Sequence, residues 1–194
     1  LALSPDGRTL ASSSWDKTAK LWRLSDMRLL QALNPNSRVV NDVAFAPDGQ
    51  TVGTAGDNYF EPKGEVTFWN VEDGTEVCTL GLPSGALSLA FAPDGRTLVT
   101  TSYGYDPAGT VRLWSVPDCA PIPSPPAPRG SITSLTWSPD AATLAAASYP
   151  AIWFWNASDG GLSATRSAYP HPSQVAFSPD GRTFVSGSAY TTQY

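Results

Sequence analysis

Short apolar runs, each cut off by a Pro-Asp turn, recur along the whole chain. In Val39–Ala46 the run closes on Val43, Ala44 and Phe45, and Pro47, Asp48 and Gly49 follow at once. Runs rich in β-branched and aromatic residues and bounded by turn formers predict strands. The turn has its own chemistry. Pro47 presets φ at the first central position, Asp48 bonds its own backbone, and Gly49 takes the left-handed conformation that closes the hairpin. A second strand is predicted at Thr51–Ala55, a third at Glu65–Val71 and a fourth at Glu76–Leu80, with a turn at Glu72–Gly74. The unit predicted is a four-stranded antiparallel meander.

The third strands show how such units must pack. They read Ala19–Leu24, Val66–Val71, Val111–Val116 and Ile152–Ala157. One parity carries Leu21, Phe68, Leu113 and Phe154, and the other carries Trp22, Trp69, Trp114 and Trp155. Successive side chains of a strand point to opposite faces, so both faces of each meander are apolar and both need cover. A sheet with one wet face alternates more cleanly. Small sheets stacked around an axis satisfy the pattern, and the predicted fold is an all-β propeller of four-stranded antiparallel blades.

The turn gives the count. It appears at Ser4–Gly7, Ala46–Gly49, Ala92–Gly95, Ser138–Ala141 and Ser178–Gly181, with prolines at 5, 47, 93, 139 and 179. Spacings of this size mark one supersecondary unit per repeat. Repeats are assigned near 1–36, 37–82, 83–128 and 129–170, with an incomplete one at 171–194. Four complete units and half a fifth predict a segment of a larger ring. The chain opens on Leu1 inside a strand and stops at Tyr194 partway through a repeat, so both ends are expected to be cut. Ala141 replaces the turn glycine, which predicts either another turn type or strain, since a left-handed Ala costs about 1 kcal/mol.

A strand ending in Phe, then Ser-Pro-Asp-Gly-Arg-Thr, then an Ala/Ser/Thr-rich strand, then Val-Arg-Leu-Trp resembles the WD-repeat propellers. Leu3–Trp22 and Phe177–Ser188 match most closely, and the resemblance covers essentially the whole chain. It departs from that pattern in three ways. The residue after each Trp is Arg23, Asn70, Ser115 or Asn156, not Asp; the Gly-His pair is absent from the later units, the first unit's His being expected before Leu1; and the blade Asp survives only as Asp16. The resemblance implies a buried hydrogen-bonded group in each blade. Here it is expected at best in the first unit, from Asp16, Ser12 or Ser14 and Trp22, with the other blades relying on apolar packing. Trp22, Trp69, Trp114 and Trp155 are therefore structural candidates, each able to bury on the order of 200 Å².

Composition narrows the function. A net charge of −5, with no cluster of Lys and Arg, argues against nucleic acid. No apolar run has the length of a membrane span. Cys78 and Cys119 are expected to be free thiols on outer strands or turns, the alternative being a disulfide between neighbouring units. His171 stands alone in a Pro-rich loop, and the recurring Asp residues belong to the turns. Asp57, Glu61 and Asp106 lack the tight spacing of a metal loop. No catalytic residue, cofactor or metal is assigned. Six prolines between Pro117 and Pro128 predict a short or frayed outer strand in the third unit.

The suggestive residues are aromatic. Trp15, Tyr103 and Tyr149 stand at matching positions after the second strands, and the longer loops add Tyr59, Phe60 and Tyr105. Connections of one type emerge on one rim, where exposed Tyr and Trp are the usual anchors of a protein interface; the bland alternative is that they cap the blade ends. The resemblance implies the same, because Trp15 precedes the blade Asp at a common contact position. The expectation is a non-catalytic interaction scaffold or regulatory sensor that binds another protein or peptide. Fusion to effector domains and a cytoplasmic setting are expected. The alternative is a lactonase-like propeller hydrolase whose catalytic or metal residues lie outside this segment.

Overall fold

The computed structural model describes residues 1–35, 39–58, 63–102, 111–125, 132–148, 150–157, 159–168 and 172–188. Four meanders and a hairpin fill them. Blade 1 is β1 (Ala2–Leu3), β2 (Thr9–Ser13), β3 (Ala19–Arg23) and β4 (Arg28–Leu33). Blade 2 is β5 (Val39–Phe45), β6 (Thr51–Asn58), β7 (Lys63–Asn70) and β8 (Glu76–Leu82). Blade 3 is β9 (Ala86–Phe91), β10 (Thr97–Ser102), β11 (Val111–Ser115) and β12 (Ala120–Ile122). Blade 4 is β13 (Ile132–Trp137), β14 (Thr143–Ser148), β15 (Ala151–Asn156) and β16 (Leu162–Ser167). A last hairpin pairs β17 (Pro172–Phe177) with β18 (Phe184–Ser188). All pairings are antiparallel between sequence neighbours, and the architecture is a partial β-propeller.

Both faces of the inner blades are covered, as the parity of the third strands requires. Leu21, Ala11 and Ala19 of blade 1 pack against Val43, Val52 and Trp69 of blade 2. Phe68, Val66 and Leu80 of blade 2 meet Leu89, Leu98 and Trp114 of blade 3. Val99, Val111 and Leu113 of blade 3 meet Leu144 and Trp155 of blade 4. Each Trp face thus lies on the Leu/Phe face of the blade before it. Trp69, Trp114 and Trp155 are buried and Trp22 half-buried.

The inner strands β5, β9, β13 and β17 lie side by side. Each carries a bulge at its first turn of pairing, at Asn41, Leu87, Thr133 and Ser173. A bulge re-aims one residue out of the ladder, and two of these reach the next blade. Asn41 Nδ2 donates to the Ala86 carbonyl at 2.8 Å, and Thr133 Oγ1 donates to the Pro172 carbonyl at 3.2 Å.

Several expectations are corrected. β6 and β7 extend past their predicted limits, because Asp57 pairs with Gly64 and Asn58 with Lys63. Cys78 and Cys119 are not free thiols: they form a disulfide between β8 and the turn that follows β11. Stacking brings the two outer edges together, with a Cα–Cα distance of 6.6 Å, inside the reach of a bridge. Ala141 keeps the common turn, at φ 57°, and its N–H donates to the Ser138 carbonyl at 2.9 Å as the glycines of the other turns do. Strain, not a different turn, is the outcome. β12 is only three residues long, as the prolines predict. Ser124 Oγ accepts from the Leu113 N–H at 3.0 Å and so replaces a missing ladder partner.

Candidate protein interface

The two ends of the blades can be told apart by their turns. Gly49 lies against Pro5, Gly95 against Pro47 and Gly181 against Pro139, so the Pro-Asp turns line one end, blade after blade. An antiparallel meander then sends every connection between second and third strands to the opposite end. Trp15 sits in that connection of blade 1 and is 71% exposed.

Its mount is rigid. Ser14 Oγ accepts from the Asp16 N–H at 3.1 Å, and Lys17 takes a left-handed φ of 77°. The Ser14 carbonyl accepts from Val40 N–H at 3.1 Å, which ties the hairpin to blade 2. Asp16 accepts from Thr18 Oγ1 at 2.6 Å, from Thr18 N–H at 3.0 Å and from Lys20 Nζ at 3.2 Å. The Thr18 hydroxyl, then Lys20, hold its carboxyl far below the usual carboxylate range. Asp16 therefore braces the Trp15 turn and stays exposed; it does not join Ser12 and Trp22 in a buried group. Tyr59, Phe60, Tyr103, Tyr105 and Tyr149 lie outside the described residues, as do Glu61, Asp106 and His171. The strands that carry those connections, β6–β7, β10–β11 and β14–β15, all open towards the Trp15 end.

Other features lie outside the family motif. The buried Trp bond extends beyond blade 1: Trp22 Nε1 donates to Ser12 Oγ at 2.9 Å, Trp69 to Thr54 Oγ1 at 3.0 Å and Trp114 to Thr100 Oγ1 at 2.8 Å. Blades 2 and 3 keep this pair without the family's Asp and His, contrary to expectation. The signal was a hydroxyl seven residues after each turn proline; in blade 4 that place is Ala146. Asp42 was also missed. Its Oδ2 accepts from Ser88 Oγ at 2.6 Å and from Leu89 N–H at 3.1 Å, across the blade 2–blade 3 joint. Ser134 Oγ, five residues before its own turn proline as Asp42 is, accepts from Val175 N–H at 3.2 Å across the last joint.

Asp57 is buried against Gly85, whose absent side chain leaves room for the carboxyl. Burial pushes its pKa up. Among the described residues no group of three or more His, Cys, Asp or Glu is placed to hold a metal. A groove of about 630 Å³ opens at the Pro-Asp end of blade 1 and is lined by Asp6, Arg8, Arg23, Leu24 and Leu30, away from Trp15. No helix among the described residues is long and apolar enough to cross a membrane.

A stack of four-stranded blades with a Trp on each third strand defines a repeat propeller. The WD domain, G-beta repeat family matches residues 1–23, 27–60, 74–115, 121–156 and 165–192, and the chain belongs to it. It is similar to the small ribosomal subunit protein RACK1y of Oryza sativa subsp. japonica, at 27% identity over 73% of this chain and 41% of that protein. An uncharacterized WD repeat-containing protein of Synechocystis is 30% identical over 72% of this chain and 38% of its own length. Cytoplasmic dynein 1 intermediate chain of Drosophila melanogaster is 33% identical over 63% of this chain and 18% of that protein. The chain thus spans less than half the length of these relatives.

Proposed function

We propose that this chain is a non-catalytic interaction platform whose second-to-third-strand rim captures another protein or peptide. The observation that carries the reading is Trp15, a large aromatic left exposed on a turn braced by Asp16, Thr18 and Lys20. An anchor held in one conformation loses little entropy on binding, which is why rigid aromatic residues dominate protein interfaces. Tyr59, Phe60, Tyr103, Tyr105 and Tyr149 extend the same rim in this reading. Relatives named as a ribosomal subunit protein and as a dynein chain belong, by those names, to larger assemblies, which supports it.

The test is capture from a lysate of the source cells, quantified by mass spectrometry, with the wild type and a Trp15→Ala/Tyr103→Ala/Tyr149→Ala variant. The variant should lose the captured partner while its circular dichroism and melting stay unchanged. Glu72→Ala, at the opposite end, should keep it. Equal capture by wild type and triple variant would place the binding surface elsewhere.

A further inference from the structure

We propose that the Cys78–Cys119 bridge is a redox-sensitive latch across the outer edge of the joint between blades 2 and 3. The positions it uses also meet at the joint between blades 1 and 2. Cys78 lies nine residues after Trp69, and Cys119 five after Trp114. At the blade 1–blade 2 joint the corresponding residues are Gln31 and Gly74. There the Gln31 side chain lies against Gly74, and its Nε2 donates to the Glu72 carbonyl at 3.1 Å. At the blade 3–blade 4 joint the corresponding glycine is Gly160, and Pro125 packs over it. One outer contact is thus closed by a hydrogen bond, one by packing and one by a covalent bond that can be opened.

Cys119 occupies a left-handed position. Met27, Gly74, Cys119 and Gly160 fill the same turn site, all with positive φ. Glycine is the residue such a site favours, so a cysteine there trades backbone comfort for the bond. The joint also accommodates the open form. Both cysteines are half-buried beside the apolar cluster of Phe68 and Trp114, where thiols pack as small apolar groups. Cys119 Sγ lies 3.8 Å from the Val116 carbonyl oxygen, an acceptor ready for the thiol. Inside, Asp42 and Asn41 still hold blade 3 when the outer bond is gone. Reduction therefore frees the outer edge and leaves the inner one as a hinge.

The chemistry balances with a low-molecular-weight thiol such as glutathione. Its thiolate attacks one Sγ, breaks the Sγ–Sγ bond and leaves a mixed disulfide, which a second thiolate resolves. Two electrons and two protons enter the protein as two thiols, and the reductant leaves as its own disulfide.

The experiment equilibrates the native protein in oxidised or reduced glutathione, counts free thiols by iodoacetamide labelling and follows amide deuterium exchange. Expected are no labelled cysteine in the oxidised buffer and two in the reduced one. Exchange should rise several-fold in peptides over 76–82 and 116–122 and stay constant over 28–33, with the same circular dichroism. Cys78→Ser/Cys119→Ser, which has no cysteine to label, should show the exchange of the reduced protein in both buffers. Labelling in the oxidised buffer, exchange that ignores reduction, or loss of the whole fold on reduction would each overturn the latch. None of these outcomes depends on whether the rim binds a partner.

Discussion

Thr100 is fully buried and its hydroxyl oxygen is the acceptor for the Trp114 indole N–H, so the pair is a small polar island inside an apolar joint. Thr100→Val keeps the shape and the β-branching but leaves the N–H unpaired. A buried donor without a partner costs about 1–3 kcal/mol, and the urea midpoint should fall accordingly. Asp57 is a different case, because its carboxyl is buried and desolvation raises its pKa. A raised folded-state pKa means that stability is greatest below the unfolded value and is lost as pH rises through the folded one. Asp57→Asn should therefore be more stable than the wild type at neutral pH, and the difference should vanish in acid. The turn residues Asp6, Asp73, Asp140 and Asp180 run the other way. Hydrogen bonds from Ser4, Thr75, Ser138 and Ser178 lower their pKa values, so their contribution is lost as pH falls. Comparing variant and wild type at each pH cancels the turns and isolates Asp57.

Within an element, the Pro-Asp hairpin is the unit that sets register. The side chain of Asp48 accepts from the Gln50 N–H at 2.8 Å, while the Gly49 N–H donates to the Ala46 carbonyl at 2.9 Å. One residue breaks the rule: Ala141 holds φ 57° with a Cβ where four equivalent turns use glycine. Ala141→Gly should stabilise by about 0.5–1 kcal/mol, less than the full strain because glycine also loosens the unfolded chain. Thermal melting of the two proteins checks this, and a neutral or negative shift would show that the turn relaxes around the alanine. The outer strand of blade 3 shows the opposite balance. Prolines remove its donors, and Ser124 and Pro125 fold the segment back onto β11 and Gly160 in place of a longer strand.

Across the whole molecule, the blades are joined by apolar faces and by a row of polar bonds along the inner strands. Asp42 is the charged member of that row, bonded to Ser88 Oγ and Leu89 N–H of the next blade. Asp42→Ala leaves the Leu89 N–H without its acceptor and removes the two bonds to a carboxylate that cross the joint. Bonds of that kind contribute about 1.5–3 kcal/mol. The expected result is a loss of that order in urea unfolding, with faster amide exchange at Leu89. An unchanged exchange rate would mean that the Asp42 bonds contribute little to holding the joint.

The sequence by itself determined the repeat, the meander and the need for stacking. The information is local: a Pro-Asp-Gly turn dictates its hairpin, and the opposite parities of Leu113 and Trp114 make both faces apolar. It also singled out Trp15, because Trp15, Tyr103 and Tyr149 stand at matching positions after the second strands. Tertiary structure decided what distant residues do together. Cys78 and Cys119 are 41 residues apart and bond only because stacking brings two outer edges into register. Asp42 finds Ser88 and Asn41 finds Ala86 for the same reason, each across one blade spacing. Asp16, matched to a buried group by family resemblance, stays at the surface because Thr18 and Lys20 are nearer partners than Ser12. Turns and face polarity are written within a few residues of chain. Contacts between blades depend on how whole sheets pack, and no short stretch of sequence carries that geometry.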